Sequence, residues 1–137
     1  MSSNTKPIGV AYEDQSIVGA DRVYVDSEIG YTAAAQGTVT QLTDKSTAVT
    51  LNKPAGRITM NAQSLGANAA ATFTLNNSYI SANDIVICNV SGGGTAGAYI
   101  AYTSSMTTGS ATLALRNLTG GALSEAVIVN FAIIHCV

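Results

Sequence analysis

The sequence predicts an all-β fold: a single β-sandwich or jelly-roll-like domain at residues 38–137, preceded by an extended N-terminal arm at 1–37. Three observations predict it. Short runs that alternate apolar and polar residues follow one another, each closed by Gly, Asn, Asp or Pro. No segment keeps a 3.6-residue apolar period long enough for an amphipathic helix. The chain has 137 residues, of which 47% are hydrophobic, so one domain can bury a core of its own.

The arm carries apolar residues without a period. Ile8, Val10, Tyr12 and Ile17 are scattered among glycines and carboxylates, and Arg22-Val23-Tyr24-Val25 is a short strand candidate. Ile8, Val10, Tyr12, Ile17, Val23, Tyr24 and Val25 are therefore candidate contacts to another surface or a neighbouring subunit. An arm that packs back on its own domain is the open alternative.

Strands begin at Thr38–Thr43, followed by a turn at Asp44-Lys45-Ser46. In Thr47–Leu51, Val49 and Leu51 share one face. Pro54 and Gly56 break the chain before Arg57–Met60. Residues 63–70 are small and suit a connection with one helical turn. Ala71–Leu75 turns Phe73 and Leu75 inward. Asp84–Val90 is apolar on both faces and reads as a central strand. A glycine-rich turn at 91–97 precedes Ala98–Thr103. Ser110–Arg116 turns Leu113 and Leu115 inward. Glu125–Cys136 is the longest strand expected, with Val127, Val129, Phe131 and Ile133 on one face and Ile128, Ala132 and Ile134 on the other. One face of a sandwich strand looks outward. Ile128, Ile134 and Tyr99 are thus candidate oligomer contacts.

Only 10% of the residues are charged and the net charge is −2, which gives no basic stripe for nucleic acid and no polybasic membrane patch. No apolar run reaches the ~20 residues that span a bilayer. Met1–Pro7 has no apolar stretch of the signal-peptide type, so synthesis in a cytoplasm is expected. Residues 58–137 hold three charges, Asp84, Arg116 and Glu125. A Ser/Thr/Asn-coated sheet would account for this, and so would a surface that faces other subunits. Depletion of charge at interface cores favours the second.

Reactive constellations are missing from the sequence. His135 is the single histidine. No G-x-S-x-G elbow accompanies it, and it reads as a polar strand-end residue. Cys136 lies next to it, but adjacent strand residues point to opposite faces. Cys88 and Cys136 sit in apolar runs and read as buried, reduced and structural. A cross-strand disulfide is the alternative. Gly92-Gly93-Gly94-Thr95-Ala96-Gly97 matches G-x-G-x-x-G, but a strand follows it where a phosphate site needs a helix. It reads as a hairpin loop. Asp84 and Glu125 stand at strand starts and serve turns. No catalytic residue, metal or cofactor is expected.

Gly37-Thr38-Val39-Thr40-Gln41, Val49–Met60 and Ser124–Ile134 resemble small virion proteins of tailed bacteriophages, over about residues 37–137. Similar β-domains occur as head decoration (cement) proteins and as modules of tail fibres. The arm, with Gly9–Gln15, looks more like the decoration type. The resemblance implies a non-enzymatic virion protein, often a homotrimer. Its partner would be the major capsid protein, and it would bridge capsomers on the head surface after synthesis in the bacterial host cytoplasm. A tail-fibre or receptor-binding component is the alternative, for which Tyr99 and Tyr102 are the candidates to stack on sugars.

Overall fold

Eight strands form two four-stranded sheets in the computed structural model, which describes residues 28–136. The compact unit that contains them starts at Tyr31. The strands are β1 (Gln36–Thr40), β2 (Val49–Thr50), β3 (Ala55–Thr59), β4 (Ala70–Asn76), β5 (Ile85–Gly92), β6 (Tyr99–Thr107), β7 (Ser110–Asn117) and β8 (Ile128–Ile134). Sheet A runs β1-β3-β8-β5 and sheet B runs β2-β4-β7-β6. This is the all-β sandwich that the alternating pattern predicts.

The chain changes sheets at almost every connection; only β6 and β7 are sequential neighbours in one sheet. Two pairs are consequently parallel, β1 with β3 and β2 with β4. In each case the intervening strand lies in the opposite sheet, which supplies the long crossover that parallel pairing requires.

The core lies between the sheets. Ile58, Val129, Phe131, Ile133 and Val86 come from sheet A, and Val49, Phe73, Leu75, Leu113 and Leu115 from sheet B; all are buried. The inward assignments made from period two for β4, β7 and β8 hold residue by residue. Gly37 and Gly56 face one another across β1 and β3. A Cβ on Gly56 would lie 2.6 Å from the Gly37 carbonyl oxygen and 2.7 Å from Leu51. Glycine there lets Leu51 close that end of the sandwich.

Several expectations are corrected. Residues 63–70 hold no helix; Leu65 instead makes a bridge to Leu123. The last strand starts at Ile128 rather than Glu125, and β6, with nine residues, is the longest. The Asp84–Val90 run is an edge strand, not a central one. Its outward Ile85 and Ile87 stay about half exposed. Its other flank meets β6, where the Thr103 hydroxyl donates to the Val86 carbonyl at 2.7 Å and closes that side of the sandwich. Cys88 is half-buried there, and burial pushes its thiol up from the ordinary range. Cys136 is exposed, contrary to its expected burial, and both thiols are free.

Candidate interaction surface

Three polar clusters hold the loops between strands. Lys45 is 1% exposed although a turn lysine is normally solvated. Its ammonium donates to the carbonyls of Asn61 and Glu125. Its own backbone is held by the Gln63 and Gln41 side chains. Burial lowers the Lys45 pKa, and the Glu125 charge acts in the opposite direction.

Glu125 is the second fastener. Its carboxylate accepts from the Thr95 N–H at 2.9 Å, the Thr95 hydroxyl at 2.8 Å and the Tyr99 hydroxyl at 2.8 Å. The Thr95 amide is foremost in holding this carboxyl below the usual range. The Gly92–Gly97 match is a loop with a strand after it, but not the expected hairpin: it carries the chain from β5 in sheet A to β6 in sheet B, with the Glu125 carboxylate held against it. That arrangement opposes anion binding. Gly93, at φ +78°, is required because a Cβ there would lie 2.3 Å from the Ala126 carbonyl oxygen.

Asp84 is the third. It accepts from the Ser81 N–H at 2.9 Å, the Cys136 N–H at 3.0 Å and His135 Nδ1 at 2.8 Å. The Ser81 amide is the main cause that holds its carboxyl well below the usual range. Asp84 and Glu125 serve turns, as expected, and Asp84 also ties down the end of β8. Among the described residues no three His, Cys, Asp or Glu side chains converge as metal ligands would.

The remaining exposed features lie on the two broad faces. Ile8, Val10, Tyr12, Ile17, Val23, Tyr24 and Val25 fall outside the described residues. Ile128 and Ile134 do share the outer face of sheet A, and Ile134 is half exposed. Tyr99 does not join them. It is buried in the core with its hydroxyl on Glu125, and burial foremost pushes that hydroxyl up to about 12. The alternation of β6 places Tyr99 and Ala101 inward and Ile100 and Tyr102 outward. Tyr99 is therefore neither an oligomer contact nor a sugar platform.

The structure adds residues that the sequence did not single out. Ile85 pairs with Ile134, and Ile87 with Ala132, so an apolar strip runs along the β5–β8 side of sheet A. Beside that strip a polar cross-strand row of Thr38, Arg57, Asn130 and Asn89 crosses all four strands on the same face. Across all eight strands there are two charged residues, Arg57 on sheet A and Arg116 on sheet B. Both are exposed on outer faces. Every carboxylate of the described residues lies in a loop.

The fold and this surface define a β-sandwich with two nearly uncharged broad faces. The chain matches no protein-family profile, no curated protein and no solved structure.

Proposed function

We propose that this chain is a non-enzymatic structural protein of a tailed-bacteriophage virion. In this reading it is a head decoration, or cement, protein. It assembles as a homotrimer, seats on the outer surface of the major capsid protein and stabilises contacts between capsomers. No cofactor, nucleic acid or membrane takes part. The observation that carries the reading is the outer face of sheet A, where four isoleucines stand beside a row of neutral polar groups and a single arginine. Little charge has to lose its water when such a face is covered. Each copy binds only the assembled shell, and so stabilises that state by mass action.

Purified protein is mixed with undecorated heads and sedimented. Saturable binding at a fixed ratio to the capsid protein is expected. Combined Ile85→Ser, Ile87→Ser and Ile134→Ser changes lie on the outward face, so the sandwich should fold while binding falls at least tenfold. Wild-type protein that stays in the supernatant overturns the reading.

Tail-fibre placement is the second reading, and the half-exposed Tyr102 beside Ile100 on sheet B is what favours it. It predicts binding on a glycan array that Tyr102→Ala abolishes.

A further inference from the structure

On sheet A, β1, β3 and β8 leave a cleft of about 370 Å³ lined by Gln36, Thr38, Ala55, Arg57 and Asn130. Gly37 and Gly56 line it as well, and their absent side chains, with the short one of Ala55, leave the space open. Its rim is polar, with Thr38 on one side of Arg57 and Asn130 on the other in the same cross-strand row. The Gln36 amide is turned away, donating to the carbonyls of Tyr31 and Thr32 at 3.3 Å. Arg57 makes no hydrogen bond or ion pair with another described residue. No carboxylate occurs on any of the eight described strands to neutralise it.

We propose that this cleft receives the carboxylate of an aspartate or glutamate on the protein surface against which the sandwich docks. The inference rests on the shell reading above and names the chemistry of the partner. A guanidinium holds five donors in a planar fork that matches a carboxylate with two parallel hydrogen bonds. The Asn130 amide and Thr38 hydroxyl flank that fork and can satisfy the remaining lone pairs. The β5 part of the apolar strip lies two strands away. At about 4.8 Å between strands and about 6.8 Å between successive outward residues, Ile87 stands about 12 Å from Arg57. An acidic side chain with an apolar group about that far off is the complement expected on the partner. An arginine beside an apolar patch is also the composition of protein interface centres. Sheet A carries no aromatic ring on its outer face, which weighs against a sugar occupant.

Arg57→Glu, Arg57→Lys and Arg116→Glu proteins are compared with wild type in the head-binding assay. Urea unfolding of each variant first establishes that the sandwich is intact. Arg57→Glu is expected to weaken binding at least a hundredfold. Arg57→Lys should weaken it about tenfold, because the point charge cannot make the paired bonds. Arg116→Glu, on the opposite face, should stay within about threefold of wild type. The Arg57→Glu defect should be rescued when one exposed capsid carboxylate is changed to lysine. If wild type decorates heads and folded Arg57→Glu decorates them equally well, this proposal is wrong while the shell reading stands. If wild type does not bind heads, both fall. Binding of wild type to sialylated or uronate-bearing glycans that Arg57→Glu abolishes overturns the protein carboxylate in favour of an acidic sugar.

Discussion

Replacing Lys45 with methionine removes an ammonium and keeps a side chain of similar length. The ammonium reaches two backbone acceptors, the carbonyls of Asn61 and Glu125, in a place that is 1% exposed. Each acceptor stranded without water costs about 1–3 kcal/mol. The sum is about 2–6 kcal/mol, and relief from holding a charge out of water offsets part of it. A net loss of about 3 kcal/mol is expected. For a small domain with a urea slope of about 1.5 kcal/mol/M, the unfolding midpoint should fall by about 2 M. Lys45→Ala should lose about 2 kcal/mol more, because three buried methylene groups go as well. Lys53→Met is the control. Its ammonium donates to the Ala34 carbonyl at 3.0 Å in an exposed setting, so its effect should stay within about 0.5 kcal/mol. Buried ion pairs are often replaced by apolar residues without loss, since both partners leave together. Here the acceptors are main-chain carbonyls and remain. A Lys45→Met midpoint equal to or above wild type would refute that reasoning.

Other outcomes follow from the carboxylates and from Tyr99. Asp84 and Glu125 titrate below their ordinary values of 3.8 and 4.5 in the folded protein. The unfolded chain therefore takes up protons first as pH falls, so their stabilisation is present above about pH 5 and is lost progressively below about pH 4. Urea midpoints measured from pH 7 to pH 3 should show this decline, and Asp84→Asn should be less stable at pH 7 with a shallower acid slope. Tyr99, raised to about 12, should give a late step near that pH in an ultraviolet titration of the folded protein. The unfolded tyrosine loses its proton near 10, so this contribution is complete below that pH and is lost between about 10 and 12. Tyr99→Phe should remove that late step of the titration, and an unchanged curve would contradict the burial of its hydroxyl.

Most of the sandwich was legible because period two survives in short segments. Phe73 and Leu75, Leu113 and Leu115, and the Val127–Ile133 set all pointed inward as read. What failed was longer in range. The Asp84–Val90 run is apolar on both faces whether a neighbouring strand, another molecule or nothing covers it, so its edge position cannot be read from composition. Parallel pairing of β1 with β3 depends on a crossover through the other sheet and leaves no local trace. Lys45 carries the signature of an exposed turn; its burial needs carbonyls that lie 16 and 80 residues away. Tyr99 was placed on the wrong face because its partner, Glu125, is 26 residues distant. The polar row of Thr38, Arg57, Asn130 and Asn89 exists only once four strands are in register. The apolar strip is the intermediate case. Ile128 and Ile134 were visible from β8 alone, whereas Ile85 and Ile87 join them only through pairing.

Copy number in purified particles tests the central proposal most directly. Particles are separated by gel electrophoresis, and this chain is quantified against the major capsid protein. A shell protein that bridges capsomers should be present in amounts comparable to the capsid protein, because the head lattice alone offers so many equivalent sites. A few per cent of that amount would place the chain in the tail, and its absence from the particle would contradict the virion role altogether.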